Sequence, residues 1–262
     1  MDVLCELREF YKNFKGEKGY IGCSGNGKLI PYFAVKKTVS PIILVQYAIH
    51  AREYVTTYLA MQQIKEFEKN GKIGTVYFIP AVNVDGIKIA LKQNPLYKAN
   101  AFGVDLNVNF DAKWGTGSKN VREKGSENFI GDSPFSEIES RNLRDFTLDV
   151  MPDMTVSYHS KGEEIYYEFY QDKQSKIRDK MLAQTVANVT GYKIKSTPNS
   201  AGGYKDWCIE RLGIPAITVE VGDDSIAHPL KKQHVSLIFE KNKRVVSALM
   251  DKLLEIKCKK NL

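Results

Sequence analysis

Five short apolar runs, separated by segments of helical periodicity, constrain the fold of this chain most. The runs are rich in β-branched and aromatic residues, as buried strands are. They lie at residues 41–48, 75–82, 154–159, 165–170 and 215–222. Between them, helical patterns cover residues 53–69, 137–149, 174–190 and 231–256. This alternation predicts an α/β fold with a mixed, mostly parallel β-sheet and helices on both faces.

The chain is predicted to form one domain over residues 1–262, with residues 1–19 as an N-terminal helical extension. A length of 262 residues is enough for one full core, and no linker or repeat divides it. Two predicted helices carry boundary signals. Ser136 with Glu139 predicts a capping box, and Gly191 predicts the end of the helix at residues 174–190.

Composition excludes several classes of protein. Apolar residues make up 43% of the chain and charged residues 26%, and no apolar run approaches the roughly 18 residues of a membrane span. The N-terminus lacks the pattern of a secretory signal, so a cytoplasmic location is expected. The four cysteines show no metal-type spacing, which favours reduced thiols; they are Cys5, Cys23, Cys208 and Cys258.

The formal charge of +7 does not indicate nucleic-acid binding. The 38 basic residues are interspersed with 31 acidic ones, and only the C-terminal sequence KCKKNL is densely basic. A solvated basic surface explains this pattern. Neither nucleic acid nor a membrane is therefore expected as a partner, and the sequence does not predict an oligomeric state.

Three polar residues follow predicted strands at the point where each strand ends, and they are His50, His159 and Glu220. Ligands of α/β proteins bind beyond the C-terminal ends of strands, so these side chains are expected to share one crevice. Residues 98–135 show little periodicity. A loop of this length inside a compact domain is usually functional.

Glu53 lies three residues after His50, and this pair alone permits two interpretations. Glu53 can be an ordinary first-turn residue favoured by the helix dipole, or the pair can bind a metal. A catalytic zinc ion needs three protein ligands and one open position. His234 lies among lysines in a helical pattern, as a solvated residue does, and His228 precedes Pro229 at the entry to a helix. His159 instead ends a predicted strand that can hold a ligand rigidly.

Six motifs together resemble the zinc carboxypeptidase family from about residue 20 to the end of the chain. Their order and spacing match that family, which makes them far more specific together than singly. They are HAREY at 50–54, NVDG at 83–86, KANAFGVDLNVNF at 98–110, YHSKGEEIYY at 158–167, SAGGYKDW at 200–207 and AITVEVGDD at 216–224.

The resemblance implies one zinc ion per chain, with His50, Glu53 and His159 as its ligands. It makes Glu220 the catalytic carboxylate, which takes a proton as zinc-activated water attacks the amide and then protonates the leaving amine. Lys98 aligns with the family arginine that polarises the scissile carbonyl. A lysine can stabilise an oxyanion as a point charge.

The chain departs from the family at its carboxylate clamp. Asn107 is retained as a substrate-binding residue, but Val108 replaces the arginine that grips the C-terminal carboxylate of the substrate. The family tyrosine that closes over the substrate aligns with Pro198, and Tyr204 is a nearby candidate to replace it. Either the chain is a degraded enzyme retained for binding, or its substrate lacks a free α-carboxylate at the usual place.

YHSKGEEIYY also resembles bacterial γ-D-glutamyl-diamino acid peptidases, which cut peptidoglycan stem peptides between D-glutamate and meso-diaminopimelate. The leading hypothesis is therefore a zinc peptidase acting on muropeptides. A carboxypeptidase of ordinary peptides and a zinc-bearing muropeptide-binding protein without turnover are the alternatives. If a free acid is required, another cation must replace the arginine, and Arg122 and Lys205 are the first candidates.

Overall fold

The computed structural model describes residues 2–260. The strands are β1 Glu17–Cys23, β2 Leu29–Lys36, β3 Ile42–Tyr47, β4 Thr75–Ile79, β5 Met154–His159, β6 Glu164–Tyr166, β7 Lys193–Ile194 and β8 Ala216–Glu220. The helices are α1 Val3–Asn13, α2 Val55–Asn70, α3 Val84–Lys92, α4 Ile138–Val150, α5 Lys173–Thr190, α6 Tyr204–Leu212, α7 Val235–Asn242 and α8 Val245–Lys260.

The strands form one mixed sheet in the order β1-β2-β4-β3-β5-β8-β6-β7. The central strands β4, β3, β5 and β8 run parallel, and antiparallel pairs flank them where β2 meets β4 and where β6 meets β8. Strand β5 is buried along its whole length, as expected for a strand covered on both faces. The predicted α/β fold with a mixed, mostly parallel sheet is confirmed.

Helices cover both faces of this sheet. On one face Tyr47 and Tyr158 stack at 5.0 Å between ring centroids, and Gln63 of α2 hydrogen-bonds to both hydroxyls. On the other face α6 packs against β5 and β8. Because side chains alternate along β5, each helical layer meets its own set of buried residues.

Local predictions differ from the structure at several element boundaries. The capping box is wrong, because Glu139 accepts a hydrogen bond from the backbone N–H of Gly25 at 3.0 Å, and Glu137 occupies the N-cap. Gly191 ends α5 with a φ of 76°, as predicted. The N-terminal helix ends at Asn13, and β1 begins at Glu17 within the expected extension.

The segment at 231–256 is not one helix, because a short 3-10 turn precedes α7 and a break separates α7 from α8. The strands β1, β2 and β7 and the helices α3 and α6 were not predicted. No helix among residues 2–260 is long and apolar enough to cross a membrane. The four cysteines are free thiols.

The order of the parallel strands positions the site. Strands β3, β5 and β8 are neighbours and run in the same direction, so their C-terminal ends lie side by side at one edge of the sheet. His159 is the last residue of β5, and Glu220 is the last residue of β8. His50 follows β3 by three residues. The predicted convergence of these three residues is therefore present.

Candidate metal and catalytic centre

His50 and Glu53 lie on the connection between β3 and α2. His50 immediately precedes a 3-10 turn, Ala51–Glu53, and its Nδ1 lies 2.8 Å from Glu53 Oε1. The Nδ1 of His159 lies 3.0 Å from Glu53 Oε2 and 3.2 Å from His50 Nδ1. All three side chains are buried. The structure therefore brings together the three predicted ligands.

The geometry of these three residues fits a zinc ion. Ligand atoms at about 2.1 Å from a tetrahedral zinc lie about 3.4 Å from each other. The 3.2 Å between the two Nδ1 atoms is close to that separation. The three residues also form a recognisable group of possible metal ligands, and two histidines with one glutamate are a ligand set of catalytic zinc.

Asp105 orients His50 from the opposite side of the ring. Its Oδ1 lies 3.2 Å from His50 Nε2, and its Oδ2 lies 2.6 Å from Lys98 Nζ. A proton on Nε2 that faces Asp105 leaves the Nδ1 lone pair directed toward the metal position. Burial favours the neutral form of Asp105, but Lys98 and His50 hold its pKa well below the usual range.

The pKa values of the ligands reflect their mutual contacts. Burial tends to raise the pKa of Glu53, but His50 and His159 outweigh it and hold the pKa well below its usual value. Burial tends to lower the pKa of His50, whereas the carboxylates of Glu53 and Asp105 raise it overall. Glu53 also accepts a hydrogen bond from the Ser160 N–H at 3.2 Å, which fixes it against the end of β5.

Glu220 pairs in register with His159 on one side and with Glu164 of β6 on the other. Although the residue keeps some exposed surface, desolvation raises the pKa of its carboxyl to about 8, and the charges of Glu53 and Glu164 add to this effect. A carboxyl group beside a metal ligand can exchange a proton with a water molecule held there. The position of Glu220 next to His159 therefore suits general acid and base chemistry.

A cavity of about 360 Å³ opens beside His50. Its walls come from the long loop after α3 and from residues 197–201, and Asn107 and Val108 both line it. Lys98 also lines the cavity, and its Nζ donates to Asn128 Oδ1 at 2.5 Å. A larger groove of about 670 Å³ lies between α1 and α2 and contains none of the predicted site residues.

Tyr204 does not reach this cavity. Its side chain is fully buried, its ring packs against Phe110 and Trp207, and its hydroxyl lies 2.8 Å from Thr147 Oγ1. The expectation that Tyr204 replaces the family tyrosine is therefore corrected. Residue spacing placed Tyr204 close to the site, but it is the first residue of α6 and points into the core.

Arg122 and Lys205 do not line the cavity either, and their side chains contact other residues. The guanidinium of Arg122 stacks over Trp114 at 4.7 Å from the ring centroid. The Nζ of Lys205 lies 2.5 Å from Asp206 Oδ1 and donates to the Glu168 carbonyl at 2.9 Å. Neither cation is placed where it can replace the missing arginine. Asp105 is a site residue that the sequence does not single out, although it lies inside the motif KANAFGVDLNVNF.

Comparison with known proteins places the chain in a family. Residues 17–242 match the family described as zinc carboxypeptidase, and the chain belongs to that family. The chain is 25% identical over 219 residues to gamma-D-glutamyl-L-diamino acid endopeptidase 1 of Lysinibacillus sphaericus, covering 70% of this chain and 55% of that protein. It is 26% identical over 238 residues to carboxypeptidase B of Astacus astacus, covering 78% of each chain.

The chain thus spans little more than half the length of the bacterial endopeptidase. Solved structures support the fold. Bovine thrombin-activatable fibrinolysis inhibitor, in complex with a tick carboxypeptidase inhibitor, matches with a TM-score of 0.86 and 21% identity, covering 97% of both chains. Murein-tripeptide amidase MpaA from Escherichia coli O157 matches with a TM-score of 0.67 and 20% identity, covering 92% of this chain and 95% of that chain.

Proposed function

We propose that this protein is a zinc-dependent peptidase that hydrolyses peptidoglycan stem peptides at the γ-D-glutamyl-meso-diaminopimelate bond. One observation carries the catalytic part of the proposal. The ligand atoms of His50, Glu53 and His159 converge at the ends of strands, and the carboxyl of Glu220 stands on the next strand in register with His159.

The protein supplies a prepared zinc site. His50 is oriented by Asp105, and Glu53 is held by the backbone of Ser160, so the ligands need little reorganisation. A zinc ion bound there supplies a Lewis acid that activates water and polarises the scissile carbonyl. His159 is held in place by the hydrogen bonding of β5 to both of its neighbouring strands.

Two further side chains carry the proton and charge chemistry. Glu220 accepts a proton from the attacking water and returns it to the leaving nitrogen, since its carboxyl stands in register beside the proposed ligand His159. Lys98 faces the cavity beside His50 and stabilises the negative charge that develops on the carbonyl oxygen. Contacts with Asp105 and Asn128 hold its Nζ, so the charge is fixed before substrate arrives.

The substrate part of the proposal depends on the cavity wall. Val108 lines the cavity where zinc carboxypeptidases are expected to carry an arginine, and an apolar side chain cannot bind a carboxylate there. The relative from Lysinibacillus sphaericus is a γ-D-glutamyl-L-diamino acid endopeptidase, and the Escherichia coli structure is a murein-tripeptide amidase. Both names support a muropeptide as the substrate of this chain.

A carboxypeptidase acting on ordinary peptides is the second candidate. Carboxypeptidase B of Astacus astacus supports it, because the match covers 78% of each chain. The two candidates differ in what they require. A carboxypeptidase of ordinary peptides needs a free α-carboxylate next to the scissile bond, whereas the muropeptide peptidase needs the γ-linked D-glutamyl group.

The test is a substrate panel with the zinc-loaded protein. L-Ala-γ-D-Glu-meso-diaminopimelate tripeptide is compared with ordinary L-peptides whose C-termini are free or amidated, and products are identified by mass spectrometry. Release of diaminopimelate from the tripeptide, lost in Glu220→Gln, supports the proposal. Cleavage of the L-peptides alone would favour the carboxypeptidase, and tight tripeptide binding without any product would indicate a binding protein.

A further inference from the structure

Lys119 differs from the other cation of the cavity wall in having no counter-charge. Both Lys98 and Lys119 line the cavity. Lys98 is paired with Asp105 at 2.6 Å, so these two charges offset each other. None of the ion pairs within residues 2–260 includes Lys119. The wall therefore carries one uncompensated positive charge, and it favours an anionic group in the ligand.

A β-turn presents Lys119 to the cavity. The backbone N–H of Asn120 donates to the Gly117 carbonyl at 2.9 Å, which leaves Ser118 and Lys119 at the two central positions of the turn. The side-chain oxygen of Asn120 accepts from the Gly117 N–H at 2.9 Å and closes the turn a second time. Two hydrogen bonds between Gly117 and Asn120 thus hold the turn that carries Lys119.

The same turn is hydrogen-bonded to a second segment of the cavity wall, residues 199–201. The Ser118 N–H donates to the Asn199 carbonyl at 2.9 Å, and the Asn120 side-chain amide donates to the Ala201 carbonyl at 3.3 Å. Two hydrogen bonds to a neighbouring segment restrict the position of the backbone of Lys119. Its side chain is exposed, so the ammonium group can reach a ligand without first breaking an ion pair.

The segment that anchors this turn also packs against Val108. Gly202 adopts a φ of +87°, and a side chain there would come within 2.8 Å of the Val108 carbonyl oxygen. The Phe110 N–H donates to the Gly202 carbonyl at 2.9 Å. The turn that carries Lys119 and the turn that carries Val108 are therefore joined through one segment. The cation lies in the same wall as the valine, on a different loop.

We propose that Lys119 binds a carboxylate of the peptide substrate and so determines the preference of this cavity for acidic peptides. The proposal rests on the proposed peptidase function and names the chemistry that its substrate must carry. The ammonium donates to the carboxylate, and the side-chain amides of Asn107 and Asn199 in the same wall provide neutral hydrogen-bonding groups. Because Lys119 is exposed, its contribution is moderate.

The experiment combines one variant with a matched set of substrates. Lys119→Gln removes the charge and keeps hydrogen-bonding capacity, and Lys124→Gln is the control, since Lys124 is exposed on the same loop and does not line the cavity. The substrates are the tripeptide and analogues in which one carboxylate at a time is amidated. The values of kcat/KM for each protein with each substrate are compared, and this comparison isolates the interaction between Lys119 and one carboxylate.

In the wild type, amidation of one particular carboxylate is expected to lower kcat/KM by about tenfold, the size of a charge-assisted hydrogen bond of about 1.4 kcal/mol. In Lys119→Gln, kcat/KM for the tripeptide should fall by the same factor, mainly through a higher KM. For the analogue in which that carboxylate is amidated, kcat/KM should be the same as in the wild type. Lys124→Gln should behave as the wild type. The ratio of kcat/KM for the tripeptide to kcat/KM for each analogue is the deciding quantity. If every ratio is the same in Lys119→Gln as in the wild type, the inference is overturned while the peptidase proposal stands.

A binding measurement separates the inference from failure of the proposed function. The tripeptide and its analogues are titrated calorimetrically into zinc-loaded Glu220→Gln and into Glu220→Gln/Lys119→Gln. We expect about tenfold weaker binding of the tripeptide to the double variant and equal binding of the relevant analogue. This result would support the role of Lys119 even if the wild type cut none of these peptides. Equal tripeptide affinity in both proteins would exclude it.

Discussion

The proposed metal ligands and the residues of the cavity wall are held by different parts of the fold. His159 and Glu220 end neighbouring strands, and His50 and Glu53 follow a third strand within six residues. The wall instead comes from the loop after α3 and from residues 197–201, where the regular structure is a single 3-10 turn, Leu106–Val108. Backbone and side-chain hydrogen bonds between loops hold these wall segments together.

This difference separates the chemistry of the site from its specificity. Strand ends are fixed by the sheet, so the proposed ligand atoms and the proposed catalytic carboxyl cannot move independently of the core. Loop residues such as Val108 and Lys119 can be exchanged without disturbing the strands. A zinc carboxypeptidase fold can thus retain its reaction while its substrate changes, and the proposed function attributes such a change to Val108.

The largest expected effect tests the proposed metal ligands, which the sheet holds in place. His159→Ala removes one of the three proposed ligand groups, so most bound zinc and all measurable turnover should be lost. Zinc is measured by mass spectrometry after gel filtration. His234→Ala is the matched control, because His234 accepts a hydrogen bond from the Lys231 N–H at 3.1 Å outside the centre. Equal zinc contents in the two variants would remove His159 from the ligand set.

Glu220→Gln tests whether the second strand end contributes chemistry and not metal binding. The amide has nearly the same shape but cannot accept the proton, so kcat should fall by about 10²- to 10⁴-fold while zinc content and thermal stability are kept. Glu240→Gln, on the exposed surface of α7, serves as the control. Turnover close to that of the wild type would assign the base to another group.

Asp105→Asn tests the boundary between the two regions, because Asp105 lies in the loop and contacts the metal centre. Loss of the charge weakens the orientation of His50 and leaves Lys98 without its partner, and zinc affinity should fall by about 10- to 100-fold. Competition with a chelator measures this affinity. Asp111→Asn, which affects only a surface pair with Arg211, should leave it unchanged. Unchanged affinity in Asp105→Asn would make the centre independent of the loop.

The same division explains how far the sequence could predict the structure. Strands β3, β4, β5 and β8 were located within three residues, because largely buried strands leave a continuous apolar run in the sequence. His50, His159 and Glu220 were located with them, since a strand fixes where its last side chain lies. Strands β1 and β2 were missed. Strand β1 lies at the edge of the sheet and has only exposed and half-buried residues, whereas β2 pairs on both sides and is mostly buried.

The wall could not be predicted in this way. Tyr204 and Lys205 lie inside the motif SAGGYKDW, but the motif does not determine the directions of their side chains. Tyr204 contacts Phe110 and Thr147, and Lys205 contacts Glu168, all outside the motif. Lys119 is brought to the cavity by bonds to residues about 80 positions later, and no local pattern records them. Sequence distance from a motif is therefore a poor guide to membership of a site built from loops.

The smallest expected effect concerns Tyr204. Its side chain is buried in the core, although in the sequence it follows closely after the wall residues 197–201. Tyr204→Phe removes the hydrogen bond with Thr147 and should lower the free energy of unfolding by about 1 kcal/mol, measured by urea denaturation. Because the hydroxyl is fully buried, kcat/KM for the tripeptide should stay within about twofold of the wild type. A loss of activity of more than about tenfold with unchanged stability would mean that the hydroxyl turns toward the substrate during catalysis. The conclusion that only loop residues of the cavity wall determine specificity would then be wrong, since Tyr204, a core residue of α6, would also select the substrate.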